Sequence, residues 1–303
     1  MRDAFYYNYL VAFVDVLGQK EAFSCINSIP INPEEKQKLI EAHKQTVGYI
    51  EILRKSFHDY FKIYTEKEES KLPVPADKKE HFDNMRKAII KHTRFSDCIQ
   101  LYVPLGLEND SKYYSPKING IFGVFGACGG ILLTSLAVKK PFRVGIDVGI
   151  ATELDTNEVY GPAFFNAYKL EHDIAKYPRI VVGENLMKYL YDLSKGIIKS
   201  DKQIKEDIEY CRLTANNCLR MIAKDSDGVL ILDYLGKTFY NTMINNLPEG
   251  PKQDVNNNIL NAFKFIESAY NKFKADRDSK LEEKYLLLYN YFKERLPVIG
   301  ISI

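Results

Sequence analysis

Three aspartates fall on or beside strand patterns, two of them, Asp15 and Asp97, where the pattern ends or turns and a carboxylate is either a cap or a ligand. Asp15 closes the run Tyr9-Leu-Val-Ala-Phe-Val14, which is apolar at both parities, as a strand covered on both faces should be. A carboxylate at the end of such a strand is costly to desolvate unless a cation or a set of N–H donors compensates. Taken alone, Asp15 reads as a cap on the turn into a helix over Gln19 to Phe23. As a metal ligand it needs a second carboxylate. Asp97 follows Ser96 ahead of a run in which Ile99, Leu101 and Val103 alternate with Cys98, Gln100 and Tyr102, so it belongs to the tip or start of a hairpin. Asp147 lies in Phe142 to Ile150, where Phe142, Val144, Ile146, Val148 and Ile150 share one face. Arg143, Gly145, Asp147 and Gly149 share the other, and the two glycines leave that face open to close approach. A strand-face Asp reaching solvent is the ordinary case.

The elements that position these residues can be read from periodicity. The strand at Tyr9 belongs in the middle of a sheet. Residues 34 to 64 form one or two amphipathic helices, apolar at Leu39, Ile40, Val47, Ile50, Leu53, Phe57 and Phe61. Glu66 to Glu80, with Pro73 and Pro75, is an exposed loop, and Phe82 to Ile90 resumes helix. Ala163 to Ala175 is a helix with Pro162 at its start. Arg179 to Val182 and Val229 to Leu235 are short strands, separated by helical stretches at Glu184 to Leu193 and Asp201 to Tyr210. Asp254 to Arg295 reads as two amphipathic helices broken near Asp276 to Ser279.

The balance of the chain excludes some partners. In 303 residues, 42 Lys and Arg face 40 Asp and Glu, a net charge of +2, which gives no sustained basic face for a nucleic acid. Five cysteines (25, 98, 128, 211, 218) form no C-x-x-C pair, which fits free thiols in a reducing compartment and a cytoplasmic location. No secretory signal opens the sequence. The uncharged run Ile118 to Val138 is long enough for a bilayer span. Its glycines (120, 123, 126, 129, 130) fit equally a buried helix lying close on a sheet, so no membrane is expected. The same glycines are not a phosphate loop, since no G-x-x-x-x-G-K-[ST] is present.

Four motifs in order, Phe13-Val-Asp-Val-Leu-Gly18, Phe95-Ser-Asp97, Phe142-Arg-Val-Gly-Ile-Asp-Val-Gly149 and Tyr160-Gly-Pro-Ala163 through Lys169-Leu-Glu171, resemble the class III nucleotide cyclase catalytic domain. The short stand-alone form, with Gly-Pro-Ala-Phe opening the helix and Asp227-Gly228 followed by Asp233-Tyr-Leu235, is most similar to the bacterial Pycsar-type pyrimidine cyclases of anti-phage defence.

The resemblance, over roughly residues 8 to 236, implies an α+β fold. It would be a ferredoxin-type sheet with a βαββαβ core, helices on one face and a C-terminal helical hairpin, with residues 1–240 as catalytic domain and 251–303 as a helical extension. It implies two divalent cations, Mg²⁺ or Mn²⁺, held by Asp15 and Asp97 with the Val16 carbonyl. The N–H groups around Leu17 and Gly18 would meet the triphosphate. The reaction implied is attack of the ribose 3′-hydroxyl on the α-phosphorus of CTP or UTP, giving a 3′,5′-cyclic monophosphate and pyrophosphate, a messenger for a downstream effector.

The family's transition-state arginine aligns with Lys169, and its asparagine with Phe165, with an Asn only at 166. Lysine meets phosphate as a point charge and not as a fork, so Arg143 or Arg94 are candidates to share the role. Base selection falls on Thr93 and Glu158, beside Tyr160. The Lys and Asp of purine cyclases are absent from both, which disfavours ATP without separating CTP from UTP. Tyr49 is a candidate wall for the base or a core tyrosine. A homodimer with two composite sites follows, because in such enzymes the metal-binding half of one subunit faces this helix of another. Two other functions stay open: a purine cyclase, and a non-catalytic cyclase-like nucleotide sensor or dimer scaffold.

Overall fold

A computed structural model describes residues 7–19, 24, 29–66, 72–95, 97–106, 117–154, 158–199, 203–245, 247 and 249–302. In chain order the elements are β1 (Tyr7–Val16), α1 (Pro33–His43), α2 (Tyr49–Glu66), α3 (Lys79–Arg86), β2 (Lys91–Phe95), β3 (Cys98–Gly106), α4 (Ile118–Ala137), β4 (Phe142–Leu154) and β5 (Glu158–Tyr160). There follow α5 (Pro162–Lys169), β6 (Ile180–Val182), α6 (Glu184–Ser194), α7 (Lys205–Arg220), β7 (Ile222–Lys224), β8 (Leu230–Leu232), α8 (Glu249–Ala275) and α9 (Ser279–Arg295). The fold is mixed α/β, one sheet carrying many helices.

The sheet runs β2-β3-β1-β4-β6-β8-β7, with β5 folded back on the far end of β4. β1 is antiparallel to both neighbours, β3 and β4. Its position follows from its sequence. Leu10, Ala12, Val14 and Val16 enter one core and Tyr9, Val11 and Phe13 another, so both faces must be covered. Pairing with β3 is continuous from Tyr9 to Asp15 and shifts only between Asn8 and Tyr9.

The larger core lies under the first face, where α2, α4, α6, α7, α8 and α9 contribute. α4 is its axis. This is the uncharged run of the sequence, and 89% of its most apolar stretch is buried against protein. It packs on α2, α7 and α8, and its small residues permit the approach: a Cβ on Gly126 would lie 2.4 Å from the Tyr64 ring.

The second face corrects the expectation of helices on one side only. α5 lies across β1 and β4 there, with Ala163 and Ala167 buried and Phe164 edge-on to Phe13. The bare face left by the β4 glycines receives this backbone; a Cβ on Gly145 would stand 2.2 Å from the Ala167 carbonyl oxygen. α5 then continues through a π-helical turn, Leu170–Ile174.

Other expected boundaries move. Helix α3 ends at Arg86 rather than Ile90, α7 begins at Lys205, and β4 runs on to Leu154. The helix expected over Gln19 to Phe23 lies, after Gln19, outside the described residues. Asp147 does not reach solvent. It is buried, accepts hydrogen bonds from the Leu186 N–H and Asn185 Nδ2, both at 2.8 Å, and so caps the start of α6.

At the end of the chain, α8 and α9 lie side by side. Asp278 caps α9 by accepting from the Leu281 N–H, and Tyr289 stacks on Phe263 and Tyr270. Asp233 anchors α9 to the sheet, accepting from the Tyr291 hydroxyl at 3.0 Å and from Arg295 Nε at 3.0 Å.

Candidate metal centre

Three strand ends meet at one edge of the sheet. The ladder sets Asp15 level with Cys98 on β3 and with Arg143 on β4. Two backbone bonds lock the junction: the Val16 N–H donates to the Asp97 carbonyl at 3.4 Å and the Leu17 N–H to the Pro141 carbonyl at 3.0 Å. Cross-strand partners point to the same face, so Asp15, Cys98 and Arg143 all project to the α5 side.

The result is a cluster of donors. One ligating atom each from Asp15, Asp97 and Cys98 lie within 4.8 Å of one another, all half-buried. The Cys98 thiol donates to Asp15 Oδ1 at 3.7 Å and lies 4.0 Å from Asp97 Oδ1. Arg143 takes the other Asp15 oxygen, Nη2 to Oδ2 at 2.8 Å, and pairs with Glu171 Oε1 at 2.7 Å. Its Nη1 donates to the Ala175 carbonyl at 3.2 Å. Glu171 sits on the π-helical turn beyond α5 and is almost wholly buried.

Burial and charge set the protonation of this group. Burial raises the Glu171 carboxyl to about 7; Arg143 opposes that, and the nearby Asp15 charge adds to it. Burial first, then the charges of Asp15, Asp97 and Glu171, push the Cys98 thiol up to about 12. Among the described residues the cluster sets three carboxyl groups against one guanidinium, an arrangement that attracts a cation. Two carboxylate oxygen donors, one from the end of β1 and one from the turn ahead of β3, suit Mg²⁺ or Mn²⁺.

The remaining expected site residues divide into near and far. Val16 is buried beside the cluster. The Leu17 N–H is already committed to Pro141, which removes it from the expected phosphate-binding set, while Gly18 is exposed. Thr93 is level with Gln100, two positions from the Asp15 pair, on β2 at the sheet edge. Arg94 pairs in the ladder with Ile99, but its side chain lies outside the described residues.

Tyr49 does not face the cluster. Its hydroxyl bonds to Ser135 and donates to the Lys140 carbonyl at 3.2 Å, and the ring packs on the larger core, so it joins α2 to the end of α4. Lys169 is exposed on the outer side of α5. Glu158 and Tyr160 are exposed and remote. Arg143, level with Asp15, and Leu154, level with Glu158, are separated by eleven positions of β4, roughly 35 Å of strand.

Three residues near the cluster had no role assigned from sequence. Cys98 read only as one of an alternating strand, and Glu171 only as a letter of the α5 motif. Lys284 of α9 is the third. Burial, then the charges of Arg143 and Lys280, hold its ammonium below the ordinary lysine value. Nothing local in the α9 pattern signals that.

No protein-family model and no curated protein matches the chain. Among solved structures it is similar to a class III adenylyl cyclase-like ATP-binding protein from Pseudomonas aeruginosa, at 14% identity over 71% of this chain and with a TM-score of 0.32. The chain spans 43% of that protein's length. It is also similar to a bacterial light-regulated adenylyl cyclase, at 10% identity over 61% of this chain and 80% of that one, again with a TM-score of 0.32. Overlaps this loose carry no functional weight, and the side chains must supply it.

Proposed function

We propose that the chain is a metal-dependent nucleotide cyclase of the class III type. The observation that carries this is the convergence of Asp15 and Asp97, eighty-two positions apart in sequence, with ligating oxygens within 4.8 Å. The strand order β2-β3-β1-β4, with α1 and α2 crossing before β2 and α4 crossing before β4, supports the ferredoxin-like βαββαβ core of that reading. Residues 1–240 would then hold the chemistry, with 251–303 as the helical extension.

Asp15 and Asp97 would hold the divalent ions, which when bound activate the ribose 3′-hydroxyl and neutralise the triphosphate. Arg143 orients Asp15 by taking one of its oxygens, and Glu171 braces Arg143 from behind. The N–H of the exposed Gly18 is left to meet the phosphates. Thr93 and Glu158, where purine cyclases carry Lys and Asp, favour a pyrimidine base; a messenger role in anti-phage defence follows only if CTP or UTP is the substrate.

Glu158 and Tyr160 lie at the far end of β4 from Asp15 of their own chain, so their share of the base pocket would come from a second copy, and the class III resemblance assigns Lys169 to that copy too. An exposed apolar patch around α5, with Ile150, Leu154, Tyr160, Phe165 and Tyr168, supports that homodimer. Phe165 and Lys169 at the asparagine and arginine positions favour a second reading, a nucleotide sensor without catalysis. Incubation of the purified protein with each of the four nucleoside triphosphates and Mn²⁺, with products identified by mass, separates them. A cyclic monophosphate is expected, falling about 100-fold or more in Asp15→Ala and in Asp97→Ala, the several kcal/mol that metal assistance contributes. Wild-type rates in either variant would remove that residue from the metal site.

A further inference from the structure

The third donor of the cluster is a sulfur, and a purely oxygen-liganded centre has no use for one. We propose that Asp15, Asp97 and Cys98 together bind a single thiophilic divalent cation of the Zn²⁺ or Cd²⁺ type, through two carboxylate oxygens and the Cys98 sulfur, with the fourth position open.

The spacing of the donors supports this geometry. Bond lengths of about 2.3 Å to sulfur and about 2.1 Å to oxygen give a sulfur–oxygen edge of roughly 3.6 Å in a tetrahedral shell and roughly 3.1 Å in an octahedral one. The observed sulfur–oxygen separations, 3.7 Å to Asp15 and 4.0 Å to Asp97 in a set that spans no more than 4.8 Å, bring all three donors within a small adjustment of one such shell. Three protein ligands and a vacant fourth position are the pattern of an accessible zinc site.

A second observation concerns orientation. Arg143 binds only Asp15 Oδ2 and leaves Oδ1 turned to the sulfur, while Glu171 fixes Arg143 in turn. Outer partners that aim a carboxylate oxygen in this way are characteristic of metal ligands. Cys98 needs no rearrangement to join, because it is the cross-strand partner of Asp15. As the metal–sulfur bond forms, the thiol proton leaves to solvent.

The site shares two ligands with the proposed cyclase centre but needs no nucleotide. Its occupant would displace the oxygen-liganded ions, so Zn²⁺ would inhibit where Mn²⁺ supports turnover.

The test is a titration of the full-length apo-protein with Cd²⁺ alone, followed by the ultraviolet thiolate-to-cadmium charge-transfer band, with Zn²⁺ then added as competitor. The expected result is a band saturating at one equivalent, reversed by Zn²⁺, absent in Cys98→Ser and lost in Asp15→Ala, with unchanged circular dichroism. Zn²⁺ affinity in Cys98→Ser should fall by at least the roughly tenfold that even an outer-shell change costs. No band in the wild-type protein, or an equal band in Cys98→Ser and so from another cysteine, overturns the proposal. The outcome is independent of the nucleotide assay: a band without any cyclic product sinks the cyclase reading alone, and a cyclic product without a band sinks this one alone.

Discussion

Arg143 joins two carboxyl groups that would otherwise repel. With Asp15 at 2.8 Å, Glu171 at 2.7 Å and little solvent around any of the three, the guanidinium cannot be removed without leaving buried charge uncompensated. Arg143→Ala should therefore lower the unfolding free energy by on the order of 3 kcal/mol, read from the denaturant midpoint in the absence of metal. Arg143→Lys should recover only part of this, because a point charge cannot reach Asp15, Glu171 and the Ala175 carbonyl with the spread of a planar fork. A variant as stable as wild type would mean that the carboxyl groups have another partner. Glu171 had no recognisable signal at this scale, since a π-helical turn rather than a regular 3.6-residue period decides which way it points.

At the scale of elements, the site depends on α5 lying directly on β4. Gly145→Ala would put a methyl group 2.2 Å from the Ala167 carbonyl oxygen and 2.5 Å from the Glu171 nitrogen, both backbone atoms of the element that carries the brace for Arg143. The substitution should destabilise the protein by about 3 kcal/mol, the upper end for overpacking, and weaken metal binding with it, as thermal unfolding and the Cd²⁺ titration would report. No loss of stability would mean that α5 can ride away from the sheet.

β1 was legible in sequence because apolar residues at both parities have no other home than mid-sheet; Asp15 and Asp97 were legible as a strand end and a turn, and only the family resemblance paired them as ligands. α5 on the second face was only half legible. The glycines at 145 and 149 announce that something approaches, but not whether it is ligand or helix. Tyr49 shows the converse, since an aromatic at helical spacing fits a pocket wall and a core position alike, and its bond to Ser135 decides for the core.

For the whole molecule, the length of β4 between the Asp15 and Glu158 ends bears on the proposed homodimer, which would bring Glu158 of one copy to Asp15 of another. Two inactive variants, Asp15→Ala and Lys169→Ala, damage opposite halves of a composite site. Refolded together in equal amounts they should regain about a quarter of wild-type cyclisation, because half the dimers are mixed and each mixed dimer has one intact site. No recovery above the separate variants would argue for a site complete within one chain. The anchoring of α9 through Asp233 was out of reach of sequence analysis, because an amphipathic stripe tells which side of a helix is buried and not what buries it.

The shift in pairing between Asn8 and Tyr9 bears on how such a chain tolerates change. Because strand side chains alternate, a slip of one position in β1 would turn Asp15 away from Cys98 and toward the packed helices. The irregularity lies at the opposite end from Asp15, with unbroken pairing between the two. Errors of length arriving from the N-terminal side can be absorbed there as a bulge, leaving the carboxylate in step with its partners.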